Sequence, residues 1–193
     1  MKRTGLSVSI VVAMAGIVMW ACGRTTGEEL RPELVEGRWY LGINSGRYVG
    51  SDTLVFDKDG SFLDRKSVRY SSSDSGFDFS VLLRWSASGK WSLRGDTLCV
   101  VYGQRKPEVG FDRQTFRIMP SESGADSVAL GRLREEMYDC LCARLRDSID
   151  ASYSALAADT VRLGRIVSMR SGELVLSGAE GNVRLVRPAF AAE

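Results

Sequence analysis

Along most of the chain apolar and polar side chains alternate, the period of a strand buried on one face. Trp39 and Leu41 alternate with Arg38 and Tyr40. Thr53-Leu54-Val55-Phe56 and Ser61-Phe62-Leu63 flank Asp57-Lys58-Asp59-Gly60, whose Asp and Gly suit the φ > 0 positions of a tight hairpin. Phe77, Phe79, Val81 and Leu83 alternate cleanly, and Ser86-Ala87-Ser88-Gly89 predicts a turn. Trp91 and Leu93 predict the next strand and residues 98–102 the one after. Residues 111–119 alternate with so many polar positions that they predict an edge strand or a wet face. Residues 161–169, 173–176 and 182–186 predict three closing strands, parted by Gly172 and by Gly178-Ala179-Glu180-Gly181.

One segment changes period. Residues 126–158 contain no Pro, and Leu130, Leu133, Met137, Leu141, Leu145, Ile149, Tyr153 and Leu156 recur at steps of three or four. That stripe predicts an amphipathic helix, with Ser127 a candidate N-cap. Its other faces mix Arg with Glu and Asp, so it is expected to pack on the end or side of the β-domain rather than on a lipid surface. The fold class is therefore mainly β, an antiparallel meander or barrel with one long helix inserted before the last strands.

The sequence also echoes itself. Gly37-Arg38-Trp39-Tyr40-Leu41 parallels Gly89-Lys90-Trp91-Ser92-Leu93, and Ser51-Asp52-Thr53-Leu54 parallels Gly95-Asp96-Thr97-Leu98. Shared turn chemistry and a repeated meander both account for this.

The N-terminus has a different logic. Lys2 and Arg3 precede residues 6–18, apolar except for Ser7 and Ser9, and then Met19-Trp20-Ala21-Cys22-Gly23. A charged start, an apolar run and a small residue before a cut is the secretory pattern. The run is slightly short for a spanning helix, which needs roughly 20 apolar residues. The Cys directly after it resembles the bacterial lipoprotein signal. The resemblance implies cleavage before Cys22, diacylglycerol on its thiol and acylation, palmitate included, of the new amine. Several chains are needed because one alone binds a membrane only marginally. The expected division is a signal peptide at 1–21, a polar tether at 22–36 and a β-domain at 37–193 with its helix at about 126–158.

Composition adds exclusions. Lys2 and Arg3 account for the whole of the formal +2, so the chain from Cys22 onward balances 24 basic against 24 acidic residues. No basic excess points to a nucleic-acid partner. The 193 residues include no His, which removes the Ser-His-Asp arrangement, the usual neutral-pH base and the commonest metal ligand. No cofactor, metal or catalytic residue is expected. Asp57-Lys58-Asp59-Gly60 is not a calcium loop: Phe62 and Val68 stand where an EF-hand opened at Asp57 needs Gly and Glu. Arg94-Gly95-Asp96 sits where a hairpin needs a turn. Cys140 and Cys142, two apart, point about 200° from each other on a helix and cannot pair there. Cys99 with Cys140 or Cys142 is a candidate disulfide, the Cys99–Cys140 pairing being one form of it.

Gly37-Arg38-Trp39, Phe56-Asp57-Lys58-Asp59-Gly60, Gly89-Lys90-Trp91 and Gly95-Asp96-Thr97-Leu98 resemble the pattern of Bacteroidetes lipocalin-like lipoproteins over roughly residues 37–102. The resemblance implies a lipocalin-like barrel in the cell envelope, held by its lipid anchor at the outer membrane on the periplasmic or cell-surface face. Trp39, Tyr40, Phe77, Phe79, Trp85 and Trp91 are candidate pocket residues for a small apolar ligand; a filled barrel serving an envelope partner is the alternative. For the anchor, we expect Cys22→Ser to abolish incorporation of radiolabelled palmitate in growing cells; label equal to wild type would refute acylation at Cys22.

Overall fold

The computed structural model describes residues 31–74, 77–120, 127–157, 160–170, 172–178 and 181–188. Cys22, the expected signal segment and most of the expected tether lie outside these residues.

A four-residue helical turn, α1 (Pro32–Val35), leads into β1 (Gly37–Asn44), β2 (Tyr48–Phe56), β3 (Ser61–Asp74) and β4 (Phe77–Arg94). Then come β5 (Thr97–Tyr102), β6 (Glu108–Pro120), the long helix α2 (Ser127–Leu156), β7 (Val161–Arg170), β8 (Glu173–Gly178) and β9 (Gly181–Val186). All neighbours pair antiparallel, in the order β3-β2-β1-β9-β8-β7-β5-β4-β6, and β3 pairs again with β4. Eight strands thus close a barrel, which removes the edges an open sheet would expose. β6 is the extra strand, continuing beyond β5 along the same side of β4.

The inward phase of each strand carries the core: Trp39 on β1, Leu54 and Phe56 on β2, Phe62 and Val68 on β3, Val81 and Leu83 on β4, Leu98 and Val100 on β5, Leu174 and Leu176 on β8, and Leu185 on β9. Phe56 stacks on Phe62 at 5.3 Å, Phe62 meets Tyr102 edge-on at 5.6 Å, and Tyr102 meets Tyr153 of α2 at 5.2 Å. This chain of rings runs from the turn-sealed end of the barrel to the helix. The sealing turn is the expected hairpin: Gly60 has φ +77° and donates to the Asp57 carbonyl, while the Trp91 indole donates to the same carbonyl at 2.8 Å.

Ser86-Ala87-Ser88-Gly89, expected as a turn, instead runs straight through β4. Its small residues are needed there: Ala87 faces inward opposite Asp64, and a Cβ on Gly89 would collide with the Val101 carbonyl. Within the segment expected as tether, Val35 of α1 is fully buried and its carbonyl accepts the Trp39 indole proton at 2.6 Å.

α2 covers β6, the strand expected at an edge. Tyr138 packs edge-on against Phe116, Arg146 lies over Phe111, Lys106 pairs with Asp150 at 3.1 Å, and Arg113 with Glu135. Cys142, Leu145, Ile149 and Tyr153 are buried against the barrel, so the predicted stripe is the packing face along that half of α2. All elements and the whole described core lie between Pro32 and Val186. A chain beginning at Gly23 retains every one of them.

The barrel closes on a thin seam, for the only residue pair registered between β1 and β9 among the described residues is Tyr40 with Val186. Arg187 reinforces it, donating to the Leu34 carbonyl at 3.0 Å and the Glu36 carbonyl at 2.8 Å, its guanidinium 4.6 Å from the Trp39 ring centroid. We expect Arg187→Ala to lower stability by about 1–3 kcal/mol, seen as a shifted denaturant midpoint. Arg187→Lys keeps a charged donor but loses the flat guanidinium face over Trp39, and should restore only part of it.

Candidate functional site

Three charged side chains point into this apolar barrel. Inward positions on β2 run Tyr48, Gly50, Asp52, Leu54 and Phe56, and on β3 Phe62, Asp64, Lys66, Val68 and Tyr70. Asp52 is registered opposite Lys66, and Lys66 opposite Trp85 of β4. The Lys66 ammonium lies 2.6 Å from Asp52 Oδ2 and 2.6 Å from Asp64 Oδ1.

Asp64, 1% exposed, is fully engaged. Besides Lys66 it accepts the Tyr102 hydroxyl proton at 3.0 Å and the Tyr153 hydroxyl proton at 2.8 Å, both on Oδ2. The Trp85 indole donates to the Tyr153 hydroxyl at 3.2 Å. One network therefore joins β2, β3, β4, β5 and α2. Asp52 is less well served: its Oδ1 is buried with no hydrogen-bond donor among the described residues.

The titrations follow from this asymmetry. Burial works against charge on Asp64, but the adjacent Lys66 ammonium and the donated hydrogen bonds hold its carboxyl below the usual range. Burial raises Asp52 to about 7, with Asp64's charge adding to the rise and Lys66 only partly offsetting it. Burial disfavours the Lys66 cation, yet its two carboxylates hold it charged well above the ordinary lysine value. Burial, then Asp64's charge, raise Tyr102, and burial chiefly raises Tyr153, so both stay hydroxyl donors.

Depth divides the interior. Below the network the inward side chains are sealed: Phe56 is 0% and Phe62 1% exposed. Above it Val68, Leu83, Val81 and Tyr70 are buried too, while Ile43 and Tyr48, and Leu41 level with Asp52, are only partly buried. Lys66 keeps 21% of its side chain exposed although it points inward. At the rim Tyr48 packs on Tyr70 at 5.1 Å, and burial, with Tyr70 beside it, pushes the Tyr48 phenol up to about 12.

The candidate aromatic pocket does not assemble as one surface. Trp39 and Trp91 occupy the sealed end with their indoles engaged by Val35 and Asp57, and Trp85 belongs to the network. Phe79 is buried beside half-buried Phe77 near the β3–β4 tip, their centroids 6.4 Å apart. Tyr40, next to Trp39, falls on the outward phase of β1. Cys99 and Cys142 are buried free thiols and Cys140 is an exposed one, so the candidate Cys99–Cys140 disulfide is not formed. Burial raises the Cys142 thiol.

Sequence reading missed Asp52, Asp64 and Lys66. Extending the alternation from Phe62 through Asp64 and Lys66 to Val68 and Tyr70 would have put two charges in the core phase. That conflict is the available signal.

No family model, curated protein or solved structure matches the chain.

The network makes stability pH-dependent in a defined direction. With Asp52 raised from 3.8 to about 7, the folded chain holds a proton that the unfolded chain releases. This contribution is complete below about pH 4 and is lost as pH rises toward 7, to a total on the order of 4 kcal/mol. Asp64, held low, acts in the opposite sense and loses its contribution only as pH falls below about 4. We therefore expect the wild-type advantage over Asp52→Asn to shrink between pH 5 and 8, measured by urea denaturation. A difference constant across that range would contradict the assignment.

Proposed function

We propose that this chain is a lipid-anchored envelope lipoprotein, lipocalin-like in fold, whose barrel binds a small, largely apolar molecule without turning it over. The observation that carries the reading is a run of inward apolar side chains, Leu41, Ile43 and Tyr48, that stay partly open to solvent on the β1–β2 side of the barrel. A concave, mostly apolar surface with a few convergent polar groups is the usual form of a small-molecule site.

Binding rather than catalysis fits the charged network. Lys66 is held as an ammonium between two carboxylates and has no free amine to attack with. Asp64 spends its acceptor capacity on Lys66 and two tyrosines. Anchorage at the outer membrane, on its periplasmic or outer face, rests on the pattern ending at Cys22.

A second reading has its own support. The ring chain from Phe56 to Tyr153 fills the lower barrel. A side-chain-filled barrel suits a rigid interaction module that meets an envelope protein through its outer wall.

Native mass spectrometry of the chain 23–193, exported in its native host behind a signal peptide without a lipidation Cys, separates the two. We expect a bound small molecule, lost on Ile43→Trp. A clean apo mass together with a co-purifying protein would favour the interaction module instead.

A further inference from the structure

The chain from Cys22 onward carries no formal net charge, yet the barrel wall does not share the two signs evenly. The outward phase of β1 to β4 carries Arg38, Arg65, Arg69, Arg84, Lys90 and Arg94, against Asp78 among the described residues. Alternation causes this segregation, since Asp52 and Asp64 take the inward phase of β2 and β3 and are buried there. Beside β4, β6 adds Arg117 and Asp112, which cancel, and Glu108, which pairs with Arg105 at 3.1 Å.

Three of the arginines form one cluster. Arg65 stands between Thr53 of β2 and Ser86 of β4, and Arg69 between Val49 and Leu82. Arg84 is registered opposite Ser67, midway between the two. Each is thus a diagonal neighbour of Arg84, about 7–8 Å away across the strands. All three are exposed and have no ion-pair partner among the described residues, whereas Arg113, Arg165 and Arg184 pair with Glu135, Asp96 and Glu173. Like charges this close repel, and the positions between them on the sheet are Ser and Thr rather than carboxylates. Anions from outside the chain relieve that repulsion.

Two features turn the choice of anion toward a bilayer. Arg31 lies nine residues after Cys22, so a lipid on that Cys holds the start of the domain within about 30 Å of the surface. From Arg31 the chain runs through α1 into β1, the strand at one margin of the wall, where Arg38 stands. Apolar groups also sit among the charges: Val49, 54% exposed, and half-buried Leu82 flank Arg69. Arginine beside apolar side chains suits the headgroup region, where the guanidinium meets phosphate and its neighbours meet the acyl boundary.

We propose that the outer wall of β1 to β4, centred on Arg84, is the face that this domain lays against an anionic phospholipid surface. The choice of a bilayer rests on the anchor reading, and the proposal is independent of any ligand inside the barrel.

The test is co-sedimentation of the chain 23–193 with vesicles of phosphatidylcholine alone or mixed equally with phosphatidylglycerol. We expect binding to the mixed vesicles only, and its loss in high salt, where the screening length shortens. An arginine near an anionic surface contributes about fivefold in affinity, so Arg65→Gln, Arg69→Gln and Arg84→Gln together should weaken binding on the order of a hundredfold. Arg132→Gln, Arg144→Gln and Arg162→Gln together remove the same charge from α2 and β7 and should cost no more than about twofold, being screened from the bilayer. Arg84→Glu alone should cost more than Arg144→Glu, with urea midpoints confirming that each variant is folded. Binding to mixed vesicles no tighter than to neutral ones, or equal losses from the two triple variants, overturns the proposal. Binding of soluble dextran sulfate without binding of either vesicle overturns the bilayer and assigns the face to a soluble polyanion. The chain tested lacks Cys22, so these outcomes leave acylation to be decided by palmitate labelling.

Discussion

Lys66 holds together an interior that would otherwise repel itself. An isolated carboxylate moved from water into an apolar medium loses on the order of 20 kcal/mol in the idealised limit, and still several after relaxation. Asp64 enters this barrel as one, with the Lys66 ammonium 2.6 Å away, while Asp52, at the same distance from Lys66, keeps its proton up to about pH 7. The cost of burial also explains why so many strands converge on Asp64. Each of its oxygens needs a donor, and the Tyr102 and Tyr153 hydroxyls come from β5 and α2, elements far apart in sequence. A polar cluster satisfied in this way specifies one arrangement of its neighbours, since a displaced helix or shifted strand strands a charge in apolar surroundings.

The helix follows from that constraint. Its apolar stripe would pack against many sheet faces, but only one placement brings the Tyr153 hydroxyl to Asp64 and the Trp85 indole while setting Tyr138 on Phe116. The same placement covers β6, whose outer edge lacks a partner strand. Packing of α2 and protection of that edge are thus two results of one docking event.

Much of this architecture was legible in the chain. Strict alternation at Phe77, Phe79, Val81 and Leu83 marks a strand whatever surrounds it, and the three-four spacing from Met137 to Leu156 marks a helix. Two misreadings share one cause. Ser86-Ala87-Ser88-Gly89 resembles a turn because small polar residues usually signal exposure, whereas here small size serves the close approach of β4 to β5. Asp52 reads as the opening of a strand because its echo, Asp96, does stand in a turn; β2 starts four residues earlier, at Tyr48, so Asp52 falls inside the wall. Local composition cannot tell a charge in water from one met by a lysine on the next strand. Register decides that, and register is a property of pairs. The aromatics show the same limit: their apolar phase places Trp39, Trp85 and Trp91 inside, but not whether they line a space or fill it.

The seam between β1 and β9 has a bearing on how the molecule is assembled. Its partners are about 150 positions apart, and the residue that clasps them, Arg187, is among the last of the chain. Most other pairings join strands that are near neighbours in sequence and can form as soon as both are available. Closure cannot: contacts of such separation come late and slowly, after the loop entropy between them has been overcome. Docking of β9 and Arg187 on β1 is therefore the step expected last, the one that turns an open sheet into a sealed barrel.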